Sequence, residues 1–119
     1  MSIKPEYAES ILNGSKRYEF RKKVFTRSDV THVVLYASSP VKKVVGEFEI
    51  AYIIKDDLNS LWQRTKDNAG IDRNCFDNYF MNHSEGHAIA INKVIKYLEP
   101  YDLKAVFNVD PPQSYLYLK

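Results

Sequence analysis

Residues 13–23, NGSKRYEFRKK, set one carboxylate, Glu19, among five basic side chains, Lys16, Arg17, Arg21, Lys22 and Lys23, directly after an Asn-Gly turn. Such a grouping has two physical explanations. Glu19 can neutralise Arg17 or Arg21 as a structural ion pair. Alternatively, Lys16 and Arg21 attract a phosphate or a polar base edge while Glu19 accepts a hydrogen bond from an exocyclic amine or takes up a proton. Residue chemistry alone leaves both open.

Other chemistries find less support. Cys75, His83 and His87 loosely suggest a zinc site, but no CxxC pair accompanies them, and surface histidines beside a buried cysteine are the commoner arrangement. No metal and no cofactor is therefore expected. A nucleophile elbow of the G-x-S-x-G type is absent, and Ser38-Ser39 precedes a proline in a loop. The four glycines, at 14, 46, 70 and 86, fit neither G-x-G-x-x-G nor a P-loop.

The elements that must position these residues follow from periodicity. SIK suggests a very short strand. PEYAESILNG reads as a short helix with Pro5 in its first turn, Glu6 and Glu9 near its start, Asn13-Gly14 as its stop, and Ala8, Ile11 and Leu12 on one face. After Gly14 the period becomes two, placing Tyr18 and Phe20 on one side of a strand and Arg17, Glu19 and Arg21 on the other. Strands are expected over His32 to Ser38 and Val44 to Ile54, pairing as neighbours around a turn that contains Pro40 and the lysines. From Asp57 to about Met81 the spacing predicts two helical segments divided by Gly70, with Leu58, Leu61 and Trp62 on one face and Phe76, Tyr79 and Phe80 on the other segment's face. HAIAINKVIKYL and the terminal SYLYL complete the strands. This order lacks sustained βαβ alternation, so the expected fold is α+β: a small, mostly antiparallel barrel with flanking helices. All 119 residues are read as one domain.

Charge is distributed unevenly. The total is +2, yet Lys16 to Arg27 holds six basic residues against Glu19, a local +5 that suits a polyanionic partner. The longest unbroken apolar runs, VVLYA and IAYII, are five residues, and a bilayer span needs roughly 20. With one cysteine and no apolar leader near Met1, the expectation is a soluble, cytoplasmic protein without a membrane partner.

The stretch ILNGSKRYEFRK resembles the signature of ASCH domains, of the PUA-like superfamily: a short helix, then G-x-K-x-x-[ET]-x-R entering a strand. Gly14, Lys16, Glu19 and Arg21 supply it here. YASSPVKKVVGEFEI is similar to the family's second and third strands, and PPQSYLYL to the closing strand of one branch. The resemblance implies a PUA-like β-barrel whose cleft faces RNA or a modified nucleotide, lined by Lys16, Glu19 and Arg21. In that reading Ser38, Ser39, Lys42 and Lys43 form the opposite lip, and Tyr36 or Tyr115 could stack on an unpaired base. The resemblance also implies an alternative, a small hydrolase of the same fold: either an amidohydrolase on an acylated nucleoside or a ribonuclease, with Lys16 and Glu19 as reacting groups. The amidohydrolase pattern has a threonine where Glu19 stands, and TKDNAGI offers only Asp67 as its downstream acid. The first expectation is thus a module that binds RNA or a modified nucleotide.

Overall fold

A computed structural model describes residues 1–25 and 29–102, together with the backbone of 117–118. The elements run β1 (Ser2–Ile3), α1 (Pro5–Leu12), β2 (Tyr18–Arg21), β3 (His32–Ala37), β4 (Lys43–Asp57), α2 (Leu58–Thr65), a 3-10 turn (Lys66–Asn68), α3 (Arg73–Tyr79), β5 (Glu85–Tyr101) and β6 (Tyr117–Leu118). Arg27, Tyr115 and most of the expected closing strand lie outside the described residues.

Local chemistry explains the helix boundaries. Pro5 supplies a preset φ at the start of α1, and the chain leaves the helix through Asn13 and through Gly14 at φ +88°. Asp57 caps α2 by accepting the Ser60 N–H at 3.0 Å, and Asp72 caps α3 by accepting the Cys75 N–H at 2.8 Å.

The strands lie in the order β1-β3-β4-β5-β2, with β6 pairing beside β1 on β3. Among the described residues only the β1–β3 pairing is parallel. The α+β expectation and the neighbouring of β3 and β4 hold, but the barrel does not. β1 and β2 end the order without pairing with each other, so among the described residues the sheet is not closed. With only two residues, β1 is too short to supply a ladder for β2.

The sheet separates two packed layers. Met1, Ile3, Ile11, Val33, Leu35, Phe48 and Ile89 form the larger core with α1. Phe20, Ile54, Leu61, Phe76, Phe80 and Ala88 form a second core under α2 and α3. The register of β2 on β5 sets Glu19 opposite Ile89 and Phe20 opposite Ala88. Side chains alternate along a strand, so Glu19 and Arg21 are directed to the α1 side and Phe20 to the α3 side.

Candidate functional site

The unclosed seam is where the motif residues gather. Arg21 Nη2 lies 3.0 Å from Glu19 Oε2 and also donates to the Ser2 carbonyl at 3.0 Å, bridging the two sheet ends by a side chain instead of a backbone ladder. Of the two pairings open to Glu19 in the sequence, this is the one formed. Between the ends lies a cleft of about 520 Å³. Ser2, Ile3 and Lys4 border it on one side, with Glu19, Phe20 and Arg21 on the other. Tyr7 of α1 and Cys75, Asn78 and Tyr79 of the α3 region complete its wall.

Lys16 reaches the cleft from below. The Gly14 turn sends the chain back along α1, so that the Lys16 N–H bonds the Ser10 carbonyl at 2.9 Å and the Arg17 N–H bonds the Asn68 carbonyl at 2.8 Å. Lys16 itself is 2 % exposed. Its Nζ donates to the Ala69 carbonyl at 2.7 Å and lies 5.0 Å from the Phe20 ring centroid and 5.6 Å from that of Tyr7. One of the three ammonium protons is thus taken by a carbonyl, and two aromatic faces supply cation–π attraction. Burial holds the amine below its ordinary pKa of 10.5; the Glu19 carboxylate opposes that shift and the Arg21 guanidinium adds to it.

Gly70 makes room for this lysine. It sits at φ +71°, and a Cβ there would come within 2.5 Å of Lys16 Cβ and 2.6 Å of Cγ. A side chain at position 70 would therefore displace the lysine or the turn that holds it.

Several expectations change in three dimensions. Lys16, expected at the turn and in the cleft to attract a phosphate, borders the cleft but is buried at its floor. Arg17 does not share a face with Glu19 and Arg21; it precedes β2, and its guanidinium donates to the Ile91 carbonyl at 3.0 Å. Among the described residues of the basic run, Lys16 turns inward, Arg17 away, and Lys22 places its Nζ 4.9 Å from the Tyr79 ring centroid, so these three do not form one patch. Ser38, Ser39, Lys42 and Lys43 do not line the cleft. β1 occupies that edge of β3, with Ile3 beside Ala37, and Lys43 instead meets Asp102 at 2.8 Å. Tyr36 is 6 % exposed and packs with Val34, Val44 and Tyr97, which leaves no open ring face for a base. Asp67 is exposed on the 3-10 turn and does not reach the cleft. Cys75, His83 and His87 do not converge, and among the described residues no group of three metal-ligating side chains does.

The sequence reading missed Tyr7, Asn78 and the functional position of Tyr79. Tyr79 sits at helical spacing beside Phe76 and Phe80, so periodicity assigns it to packing, and Tyr7 lies beside the face of Ala8, Ile11 and Leu12; only the cleft distinguishes them. Burial is the main cause raising both phenols above their ordinary pKa of 10.0. Both therefore remain protonated donors at neutral pH. The cleft thus combines an amine whose pKa is lowered by burial, two phenolic donors and an ion-paired guanidinium, a set suited to moving protons as well as binding.

No helix of the described residues is long and apolar enough to cross a membrane. Comparison with known proteins gives three kinds of match. The profile of the ASCH domain matches residues 1–108. An "ASCH domain-containing ribonuclease" of Zymomonas mobilis is 30 % identical over all of this chain and 82 % of its own length. A protein of Ureaplasma parvum named "ATP synthase subunit alpha" is 37 % identical over all of this chain, which spans only 15 % of that protein. The crystal structure of ASCH from Zymomonas mobilis superposes with a TM-score of 0.89 at 29 % identity, covering all of this chain and 85 % of the other.

Proposed function

The chain belongs to the ASCH domain family, and from that premise we propose that the seam cleft is a ribonuclease site acting on single-stranded RNA. The observation that carries this reading is the burial of Lys16 at the cleft floor, where desolvation lowers its pKa. A buried ammonium with one carbonyl partner is a poor structural element, because burial penalises its charge and an apolar side chain would fill the same space. A base that must be partly neutral near physiological pH needs that environment.

In the proposed reaction, the neutral Lys16 amine takes the proton of a ribose 2′-hydroxyl. The 2′-oxygen then attacks the adjacent phosphorus as the bond to the 5′-oxygen breaks. The leaving 5′-oxygen receives a proton from the Tyr7 phenol or from water, giving a 2′,3′-cyclic phosphate and a free 5′-hydroxyl. Lys4, which borders the cleft with its Nζ 5.9 Å from the Tyr7 ring centroid, supplies charge to the phosphate. The Glu19–Arg21 pair sets the field felt by Lys16. The ribonuclease name of the Zymomonas mobilis relative supports RNA as the substrate class.

The test is incubation of purified protein with a fluorophore-labelled RNA and its 2′-deoxy counterpart. Cleavage of RNA alone is expected, ending in a cyclic phosphate. Lys16→Met should lower the rate by roughly 10²- to 10⁴-fold, the usual share of a general base. Equal cleavage of the 2′-deoxy strand would remove the 2′-hydroxyl from the mechanism. Saturable binding without cleavage would make the domain a binding module.

A further inference from the structure

The seam cleft is not the molecule's one sizeable concavity. A second groove, also of about 520 Å³, opens where β2 begins, and its lining includes Arg17, Tyr18, Tyr52, Asn68, Ala90 and Asn92. Among the described residues that line it, Arg17 is the one that carries a charge. We propose that this groove is a second nucleotide subsite, holding a nucleotide beyond the two joined by the scissile bond, on the same RNA strand. The proposal rests on the ribonuclease reading of the seam cleft and adds to it the path of the strand.

Three observations carry it. The first is continuity: Lys16 lines the seam cleft and Arg17, the next residue, lines the second groove. Their backbone is held from both sides, by Asn68 on the Arg17 N–H at 2.8 Å and by the Ile91 N–H on the Arg17 carbonyl at 2.9 Å. The two concavities are therefore fixed relative to each other by one short, doubly bonded segment.

The second observation is an exposed aromatic platform. Tyr52 is 54 % exposed on β4, and its hydroxyl lies 3.4 Å from that of Tyr18. Two phenols joined at their hydroxyls present ring surface that costs little further ordering when a base stacks on it. The small Ala90 keeps the neighbouring sheet surface low.

The third observation is the polar set around that platform. Arg17 uses one N–H on the Ile91 carbonyl, which orients a guanidinium whose five donors exceed that need. The Asn92 amide nitrogen is held by Glu49 Oε1 at 2.6 Å, and Asn68 projects from the 3-10 turn, so amide groups flank the ring face. A guanidinium for phosphate, a ring for stacking and amides for base edges match a nucleotide better than an apolar peptide segment.

The test uses Tyr52→Ala, with Tyr52→Phe keeping the ring and removing the hydroxyl. Tyr52 is exposed, so both variants should keep the wild-type unfolding curve. Binding of non-cleavable 2′-O-methyl RNAs of increasing length is followed by fluorescence anisotropy, and cleavage of a dinucleotide and of longer RNAs is measured separately. In the wild type, affinity should rise once the oligonucleotide extends beyond a dinucleotide. Tyr52→Ala should reduce that gain by at least about fivefold, the lower end of what one base stack contributes. It should leave dinucleotide cleavage unchanged, and Tyr52→Phe should retain most of the gain. A Tyr52→Ala variant with the wild-type length dependence would overturn the subsite. If no RNA is cleaved but the length-dependent gain still falls with Tyr52→Ala, the catalytic reading fails and the subsite stands.

Discussion

Gly70→Ala tests most directly whether the fold is built to bury Lys16. The added Cβ would lie 2.5 Å from Lys16 Cβ, 2.6 Å from Cγ and 3.1 Å from Cα. Ordinary carbon contacts are about 3.5–4.0 Å, so atoms must move by about 1 Å, and overpacking of that kind costs about 1–3 kcal/mol. The left-handed backbone at φ +71° adds about 1–2 kcal/mol for a residue with a Cβ, giving about 2–5 kcal/mol in all. Gly14→Ala is the internal control. Gly14 has φ +88° and nothing within 4 Å of the added Cβ, so it carries the backbone cost alone. The difference between the two variants therefore isolates the contact with Lys16. Urea unfolding at matched m-values measures that difference, expected at about 1–3 kcal/mol. On the ribonuclease reading, a displacement of about 1 Å should also lower the cleavage rate roughly 10²-fold. Lys16, less buried, should recover a pKa nearer 10.5, moving the rising limb of the pH–rate profile to higher pH. Gly70→Ala matching Gly14→Ala within about 0.5 kcal/mol, with an unmoved pH profile, would refute the reasoning.

Glu19→Gln and Arg21→Gln should shift that limb in opposite directions. The Glu19 carboxylate raises the Lys16 pKa and the Arg21 guanidinium lowers it, so the first variant moves the limb to lower pH and the second to higher pH; shifts of one sign in both would exclude Lys16 as the titrating base. Phe20→Ala should cost roughly 3–5 kcal/mol in chemical denaturation, since Phe20 meets Phe76 and Phe80 edge to face at 5.2 and 6.4 Å. A loss below about 1 kcal/mol would mean that this core repacks freely around the gap. Finally, kcat/KM on RNA should fall as salt rises, through screening of Lys4 at the cleft edge, and a rate indifferent to salt would remove it from phosphate contact.

Local chemistry made much of this protein legible in one dimension. The Asn13-Gly14 stop, the start of the helical stretch near Asp57, the alternation through Tyr18 to Arg21 and the spacing of Leu58, Leu61 and Trp62 depend on neighbours within a turn or two. So does the family signature of Gly14, Lys16, Glu19 and Arg21. The division of the helical stretch at Gly70 was also readable, but not its purpose.

What tertiary structure alone decided concerns partners far apart in the chain. Lys16 is buried because Ala69, 53 residues away, presents a carbonyl to it and Gly70 leaves space beside it. A lysine carries no sequence mark of burial, and its default place is the surface. Arg17 and Arg21, which alternation set on one face, part because the strand begins after Arg17. Among the described residues the sheet remains open because a two-residue β1 meets β2 through the Arg21 side chain, and the gap so left is the cleft. Periodicity reports which face of a strand is covered. Which strand ends meet, and what space lies between them, depends on packing across the whole chain.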